Sequence, residues 1–115
     1  MDISTIIVSY NTSGLLSECV GKLRSAARPL KSQELFVDNA SKDGSVELIR
    51  RDFPSACLIA NSENVGFGRA NNQALSQVRG RYVLLLNTDA FVAPDTLTKT
   101  VAYMDANPKC GILGV

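Results

Sequence analysis

Val83-Leu84-Leu85-Leu86, followed by Asn87-Thr88-Asp89, is the clearest example of a pattern that occurs four times in this chain. In each case a short apolar run, typical of a buried strand, ends in a cluster of polar residues. If helices separate the runs, the strands lie parallel and the four polar clusters meet at one edge of a sheet, where open α/β folds bind ligands. The other three examples are Ile6-Ile7-Val8 before Ser9-Tyr10-Asn11, Leu35-Phe36-Val37 before Asp38-Asn39, and Leu58-Ile59-Ala60 before Asn61-Ser62-Glu63-Asn64.

Amphipathic helical patterns lie between these runs and after the last of them. The resulting order, with right-handed crossovers, predicts an α/β fold with a doubly wound, mostly parallel sheet and helices on both faces. The expected helices extend from an N-cap at Ser13 to Pro29, from Ser41 or Asp43 to Pro54, from Phe67 to Val78, and from Pro94 to Asn107.

A fifth strand is expected to begin at Gly111-Ile112-Leu113-Gly114-Val115. With 115 residues, the chain is long enough for one core and short for an enzyme with two substrates. Because Val115 lies inside an apparent strand, we expect a fragment of a longer protein, truncated within its sheet. A sheet truncated in this way predicts an exposed edge, and therefore dimers or strand exchange.

The composition is that of an ordinary soluble domain, with 45% hydrophobic residues, 20% charged residues and a net charge of +1. Acidic residues are interspersed among the basic ones, which argues against a nucleic-acid partner. The three cysteines are far apart and histidine is absent, so the sequence has no zinc-ligand spacing and predicts free thiols in a reducing compartment. No apolar stretch approaches the ~20 residues of a membrane span, and the expected location is cytoplasmic.

Two polar clusters each have two open interpretations. Asp38, at the end of the second strand, is placed to accept a hydrogen bond from a nucleobase or a ribose, or else Asp38 and Asp43 cap the following turn and helix. Asp89, with Asn87 as a neutral helper, is placed to bind a divalent cation on a diphosphate, or else it starts a turn toward Pro94.

The segment Asn64-Val65-Gly66-Phe67-Gly68-Arg69 enters the third helix with two glycines and an arginine. Backbone N–H groups and the guanidinium there could face an anionic ligand, or the segment is a glycine-rich helix entry with a solvated Arg69. It lacks the third glycine of a dinucleotide fingerprint and the Gly-Lys-Ser/Thr of a P-loop. Tyr10 and Asn11 are similarly ambiguous, since an aromatic ring serves a nucleobase or the margin of a core.

In combination these segments resemble the nucleotide-sugar-binding half of a family 2 glycosyltransferase with the GT-A, Rossmann-like fold, especially the rhamnosyltransferase-like branch. The resemblance covers nearly the whole chain, and residues 1–115 are expected to form a single donor-binding part without the acceptor-binding half. The segments that carry it are, in order, Ile7-Val8-Ser9-Tyr10-Asn11, Val37-Asp38-Asn39-Ala40-Ser41-Lys42-Asp43-Gly44-Ser45, Asn64-Val65-Gly66-Phe67-Gly68-Arg69-Ala70-Asn71-Asn72 and Leu85-Leu86-Asn87-Thr88-Asp89.

The resemblance implies a donor pocket in which Tyr10 and Asn11 frame the base and Asp38 accepts from its N3–H. Asp89 would hold Mg²⁺ or Mn²⁺ on the diphosphate, and Arg69 would lie near the donor. Many members have Asp-x-Asp where this chain has Asn87-Thr88-Asp89, which removes one negative charge from the metal site. The residues assigned to the substrate are Ser9, Tyr10, Asn11, Asp38, Asn39, Gly66, Arg69, Asn87 and Thr88, with Asp89 assigned to the metal.

The implied reaction is inverting transfer from a UDP- or dTDP-sugar to a saccharide or lipid-linked acceptor, in the synthesis of cell-envelope polysaccharide. The longer protein could then lie at the inner face of the membrane. A carboxylate base would activate the acceptor, and it is expected beyond residue 115, because Asp95 and Asp105 have the pattern of capping or solvent-facing residues. The alternatives are a non-catalytic nucleotide-binding module and a sugar nucleotidyltransferase, although Ser9 to Ser13 lack the glycine-rich, basic loop that the latter requires.

Overall fold

Strands and helices alternate along the chain as the sequence predicts. The structure is a computed structural model that describes residues 1–114. Its elements are β1 (Ile3–Ser9), α1 (Ser13–Ala27), β2 (Ser32–Asp38), α2 (Ser45–Asp52), β3 (Cys57–Ala60), α3 (Phe67–Leu75), β4 (Tyr82–Asn87) and α4 (Thr96–Ala106).

The four strands form one parallel sheet in the order β3-β2-β1-β4. The order runs from β1 to β3 in one direction and then returns to place β4 on the other side of β1. β1 is therefore hydrogen-bonded on both sides, and the position where the strand order reverses lies next to it. The predicted doubly wound, parallel α/β sheet is confirmed.

Helices cover both faces of the sheet, and alternate side chains of each strand point to opposite faces. On one face, α1, α2 and α4 enclose a core that contains Ile7, Phe36 and Leu86. On the other face, α3 packs on β1 and β2 through Ala70 and Ala74, whose small side chains allow close approach. No described helix combines the length and the apolar character that crossing a bilayer requires.

Within residues 1–114, the face of β4 beyond α3 has no helix over it. Leu84 and Leu86 point into the core beneath α1 and α4. Val83 and Leu85 point to the opposite face, where they are 41% and 52% exposed.

Two element ends differ from the prediction because side chains from elsewhere satisfy the backbone. Ser13 is the first residue of α1 and not its N-cap, which is Thr12; the Ser13 N–H donates to Asp43 Oδ2 at 2.9 Å. α2 begins at Ser45, later than expected, because Gly44 has a φ of +85° and Asp43 Oδ1 accepts from the Ser45 N–H at 3.2 Å and from its hydroxyl at 2.6 Å.

The third helix is shorter than predicted and the fifth strand is missing from the described residues. α3 ends at Leu75, and the chain then turns so that the Arg79 N–H donates to Gln33 Oε1 at 2.7 Å. The prediction of a strand from Gly111 is wrong for residues 111–114, which pair with no strand; Val115 lies outside the described residues.

Replacing Gly80 by alanine should destabilise the fold, because its Cβ would lie 2.5 Å from the Ser4 backbone nitrogen and 2.6 Å from the Ile3 carbonyl carbon. Both contacts are with backbone, so the start of β4 must shift. We expect a loss of about 1–3 kcal/mol or more in the free energy of unfolding, measured by urea titration. Gly21→Ala is the matched control, since nothing lies within 4 Å of its added Cβ and it should be neutral or stabilising. Equal stability of the two variants would contradict the argument.

Candidate functional site

A cleft of about 470 Å³ opens at the carboxyl ends of the strands. The loops after β1, β3 and β4 form its walls, and Asn39 contributes from the end of β2. This is the edge of the sheet where the polar clusters were expected to meet, next to the reversal of strand order. The predicted site residues in its lining are Tyr10, Asn39, Gly66, Asn87, Thr88 and Asp89.

Four predicted site residues do not line the cleft. Ser9 and Asp38 are fully buried beneath it, and Asn11 is exposed but engaged with the loop after β2. Arg69 lies exposed in the first turn of α3. The structure therefore separates the predicted site residues into those that line the cleft and those that support the loops around it. Arg69 belongs to neither group.

Asp38 is the centre of a hydrogen-bonded group, which we call the loop clasp, made by Ser9, Asn11, Asp38, Ser41 and Asp43. The Oδ1 atom of Asp38 accepts from the hydroxyls of Ser9 and Ser41, both at 2.7 Å. Its Oδ2 atom accepts from the Ser41 N–H at 2.8 Å. Since a buried carboxylate is costly unless it is hydrogen-bonded, these three donors make its burial tolerable.

Asn11 extends the loop clasp across the gap between the two loops. Its N–H donates to Ser41 Oγ, and its Oδ1 accepts from the Lys42 N–H, both at 2.8 Å. Asn11 adopts a φ of +52°, a left-handed conformation that asparagine tolerates better than most residues. This conformation leaves the neighbouring Tyr10 on the cleft wall with 51% of its surface exposed.

Asp43 completes the loop clasp by joining the starts of two helices. Its carboxylate accepts from Ser45 and from the Ser13 N–H. The hydrogen bonds from Ser45 first, and then from Ser13, lower the pKa of Asp43 to about 2. Asp43 therefore satisfies the first backbone N–H of α1 and of α2 from the loop before α2, while the N-cap positions of these helices are Thr12 and Gly44.

Asn39 fixes the opposite wall of the cleft. Its Oδ1 accepts from Asn61 Nδ2 at 3.1 Å and from the Val65 N–H at 3.4 Å, and its Nδ2 donates to the Gly66 carbonyl at 3.2 Å. The Gly66 N–H donates to Asn64 Oδ1 at 2.9 Å, which closes a tight turn at a φ of +87°. The side chain of Asn39 is thus used to hold the loop before α3.

Asp89 lies on a turn after β4 that is closed by a 3.0 Å hydrogen bond from the Ala90 N–H to the Asn87 carbonyl. The Cys19 sulfur lies beneath this turn, 3.6 Å from the Asn87 carbonyl oxygen and 3.5 Å from that of Ala90, and these two acceptors share its single S–H proton. Burial first, and then the negative charge of Asp89, raise the pKa of Cys19 to about 11. Cys19 therefore supports the turn as a neutral thiol.

The oxygen atoms at this turn suit a hard divalent cation but form an incomplete ligand set. Asp89 supplies one carboxylate and Asn87 an amide oxygen, both exposed to the cleft. Within residues 1–114, no group of three or more His, Cys, Asp or Glu side chains is placed to hold a metal. Mg²⁺ is commonly bound through one or two carboxylates together with substrate phosphates and water, so the site fits a cation that a diphosphate would share.

Sequence reasoning did not assign five residues that line the cleft. Some lie inside or beside the segments that carry the family resemblance, so their proximity in sequence to assigned residues could have identified them. Others belong to the first turn of α1, which reaches the cleft only in the folded sheet. These residues are Val8, Thr12, Leu15, Asn64 and Phe67.

The sequence pattern described as "Glycosyl transferase family 2" matches residues 4–115, almost the entire chain. The chain belongs to this family. A poly(ribitol-phosphate) beta-glucosyltransferase of Bacillus spizizenii is 27% identical over 119 residues, which cover 99% of this chain and 19% of that protein. The succinoglycan biosynthesis protein ExoO of Rhizobium meliloti is 27% identical over 106 residues, covering 91% of this chain and 30% of ExoO.

Solved structures of glycosyltransferases share the fold of this family 2 chain. The mannosyltransferase PcManGT from Pyrobaculum calidifontis, in complex with GDP-Man and Mn²⁺, superposes with a TM-score of 0.85 at 30% identity, covering 95% of this chain and 33% of that one. The TarS 1-349 structure from S. aureus in complex with UDP gives a TM-score of 0.81 at 22% identity, with 94% and 33% covered. The predicted GT-A fold is confirmed, and the chain spans about a third of the length of these structures.

The loop clasp should make stability depend on pH through Asp43. Because its pKa is about 2 when folded and ~3.9 when unfolded, its contribution is present above pH ~4 and is lost as the pH falls toward 2. We expect Asp43→Asn to lower the melting temperature at pH 6, with a difference from the parent chain that narrows between pH ~4 and 2. Glu63→Gln, at an exposed position, should show no such narrowing. A constant difference for Asp43→Asn would refute the linkage.

The three thiols should differ sharply in reactivity. Cys19 is fully buried with a raised pKa, whereas Cys57 and Cys110 are partly exposed. Since the thiolate is the reactive form, alkylation of the native chain at neutral pH should modify Cys57 and Cys110 and leave Cys19 free, as measured by peptide mass spectrometry. Unfolding in urea should make all three react. Rapid labelling of Cys19 in the folded chain would show that the turn bearing Asp89 is not held as described.

Proposed function

We propose that this chain binds the nucleoside diphosphate of an activated sugar, as the donor-binding part of a glycosyltransferase. The observation that carries the proposal is a single cleft that brings together an exposed aromatic ring, Tyr10, and a metal-competent carboxylate, Asp89. Family membership supports it, as do the GDP-Man and UDP complexes of PcManGT and TarS. The product is a glycoside, formed on a saccharide or lipid-linked acceptor.

The nucleobase is proposed to lie on the Tyr10 side of the cleft. The ring of Tyr10 offers a flat apolar surface for stacking. Asp38 Oδ1 accepts two hydrogen bonds within the protein but Oδ2 accepts one, so Oδ2 is the atom with an acceptor position left for the N3–H of a pyrimidine. Because Asp38 is fully buried, this contact requires the loops of the clasp to part as the base enters.

The diphosphate is proposed to lie on the Asp89 side. Asp89 and Asn87 would hold Mg²⁺ or Mn²⁺, and Thr88 and the Gly66 loop would border the phosphates. When bound there, the cation neutralises the charge of the leaving nucleoside diphosphate. Arg69 is exposed at the start of α3 and does not line the cleft, so it is not assigned a contact with the diphosphate.

The catalytic base and the acceptor site are proposed to lie outside residues 1–115. In inverting transfer, a carboxylate takes the proton of the acceptor hydroxyl as that oxygen attacks the anomeric carbon. Among the described residues that line the cleft, Asp89 is the only carboxylate. Asp95 pairs with Lys99 at 2.7 Å and Asp105 with Arg81 at 2.7 Å, so both are engaged at the surface. By itself the chain is therefore expected to bind a nucleotide without turning over.

The finer assignment concerns the donor, the pathway and the location. We favour UDP- or dTDP-sugars and the rhamnosyltransferase-like branch, which Asn87-Thr88-Asp89 resembles more than it resembles the Asp-x-Asp of many family members. Synthesis of cell-envelope polysaccharide is supported by relatives that are named for poly(ribitol-phosphate) and succinoglycan. The proposed location is the cytoplasm, with the longer protein bound peripherally at the inner face of the membrane.

Calorimetric titration of the folded chain with UDP, dTDP and GDP, each with and without Mn²⁺, tests the proposal. We expect at least one nucleotide to bind, with an affinity that Mn²⁺ raises about tenfold or more and that Asp89→Ala returns to the metal-free value. Asp95→Ala is the matched control, because this carboxylate lies at the start of α4 and outside the cleft lining.

Two results would overturn the proposal. If no nucleotide binds to chain whose circular dichroism shows it to be folded, residues 1–115 do not form a donor site. If Asp89→Ala binds with the same dependence on Mn²⁺ as the parent chain, the metal is not held by Asp89. Turnover of a nucleotide sugar by the isolated chain would instead disprove the placement of the base elsewhere.

A further inference from the structure

The turn that carries Asp89, residues 87–90, is joined to α1 by one side chain. Among the hydrogen bonds of residues 1–114, the two contacts of the Cys19 thiol are the only ones that connect a side chain to this Asp89 turn. Cys19 has no exposed surface and belongs to the core against which Leu86 and Ala90 pack. The contact therefore lies inside the fold, independent of any surface that another segment or molecule could cover.

The Ala90 carbonyl depends on this thiol more than the Asn87 carbonyl does. The Asn87 carbonyl also accepts from the Ala90 N–H at 3.0 Å, whereas the Cys19 S–H is the one donor to the Ala90 carbonyl within residues 1–114. A carbonyl that points toward the core and loses its partner is destabilising, and it regains a partner by moving to water. Without the thiol, we expect the Asp89 turn to shift away from α1.

A second contact from α1 supports the loop that follows the Asp89 turn. Lys22 lies one helical turn after Cys19, and its Nζ atom is 4.9 Å from the centre of the Phe91 ring. An ammonium group at this distance from an aromatic face is attracted to it. The loop after β4 is thus held along α1 at two positions, first from beneath at Cys19 and then at the surface by Lys22.

We propose that Cys19 is a positioning residue for the cation that the diphosphate would share. This inference rests on the proposed function. Cys19 does not line the cleft, so it acts through the position of the Asp89 turn. Because Mg²⁺ demands near-ideal octahedral geometry, a shift of its carboxylate ligand weakens its binding.

The effect of Cys19 should be confined to the metal-dependent part of nucleotide affinity. The nucleobase side of the cleft is held by the loop clasp, whose hydrogen bonds do not involve Cys19. A nucleotide that binds without metal uses that side, and a nucleotide that binds with metal uses both. Loss of the thiol should therefore lower the gain in affinity that Mn²⁺ provides and leave the metal-free affinity in place.

Two substitutions remove the support in different ways. Cys19→Ala deletes the donor. Cys19→Ser retains a hydroxyl, but in the same rotamer its shorter C–O bond places the oxygen farther from both carbonyls than the sulfur, which lies 3.5 and 3.6 Å away. An O–H···O hydrogen bond needs about 2.5–3.0 Å. The serine hydroxyl can instead donate to the Leu15 carbonyl, one turn earlier in α1, so this variant should keep the fold.

Calorimetry with UDP, dTDP and GDP, each with and without Mn²⁺, measures the expected effect. In both Cys19 variants, the roughly tenfold gain that Mn²⁺ gives the parent chain should fall to about threefold or less, and the metal-free affinity should change by less than about twofold. Ile49→Val is the matched control, because it removes a fully buried methyl group on α2 and should keep the whole gain. Retention of the gain by both Cys19 variants overturns the inference.

Amide hydrogen exchange separates failure of this inference from failure of the proposed function. The Ala90 N–H, which donates across the Asp89 turn, should exchange on the order of tenfold faster in the Cys19 variants than in the parent chain or in Ile49→Val. Unchanged exchange shows that Cys19 does not hold the turn and overturns the inference even where nucleotide binds. If the parent chain binds no nucleotide, the proposed function is overturned, and the metal role of Cys19 with it. Thermal unfolding of each variant verifies that the fold is retained.

Discussion

The buried carboxylate of Asp38 is the constraint on which the candidate site depends. A carboxylate without partners in this position would be strongly destabilising, so its three hydrogen bonds from Ser9 and Ser41 have to be present in the folded state. Hydrogen bonds to a charged group contribute about 1.5–3 kcal/mol each. Because these donors come from the ends of β1 and β2, satisfying Asp38 also fixes the relative positions of the two loops. The hydrogen bonds to Asp38 thereby position Tyr10, which follows Ser9 in the first loop, on the cleft wall.

The two sides of the cleft are supported differently. The loops after β1, β2 and β3 are joined by side chains, through the loop clasp and through Asn39. The turn that carries Asp89 is supported mainly from beneath, by the Cys19 thiol and the backbone bond between Ala90 and Asn87. This weaker support suits Asp89, because a cation held there would take its remaining ligands from a bound diphosphate. The turn can then adjust its position as the diphosphate binds.

The order of strands and helices was predictable from the sequence, because the spacing of apolar residues and the positions of proline and glycine are local features. The same spacing shows which side chains of each strand face the core. The element ends were not predictable, since they depend on distant partners. The first N–H of α1 donates to Asp43, and the Arg79 N–H in the chain after α3 donates to Gln33. The fifth strand was wrong for a related reason, because an apolar run is visible locally but its pairing depends on where the chain runs after α4, and residues 111–114 pair with no strand. In the site, residues on loops were found from the motifs, but the sequence could not separate Tyr10, which faces the cleft, from Ser9, which supports it.

The loop clasp also has a consequence for how this sequence can diverge. The bonds of the clasp that join the two loops link positions about thirty residues apart, as between Ser9 and Asp38 or between Asn11 and Lys42. Only Ser9 and Asp38 are joined side chain to side chain across the loops, whereas the Lys42 partner of Asn11 is a backbone N–H that any residue except proline provides. A substitution at Ser9 removes a donor from the buried carboxylate, and a substitution at Asp38 removes the acceptor of the Ser9 hydroxyl. We therefore expect positions 9 and 38 to vary together in related sequences, and mutant libraries that vary both positions at once to retain more folded chains than libraries that vary one.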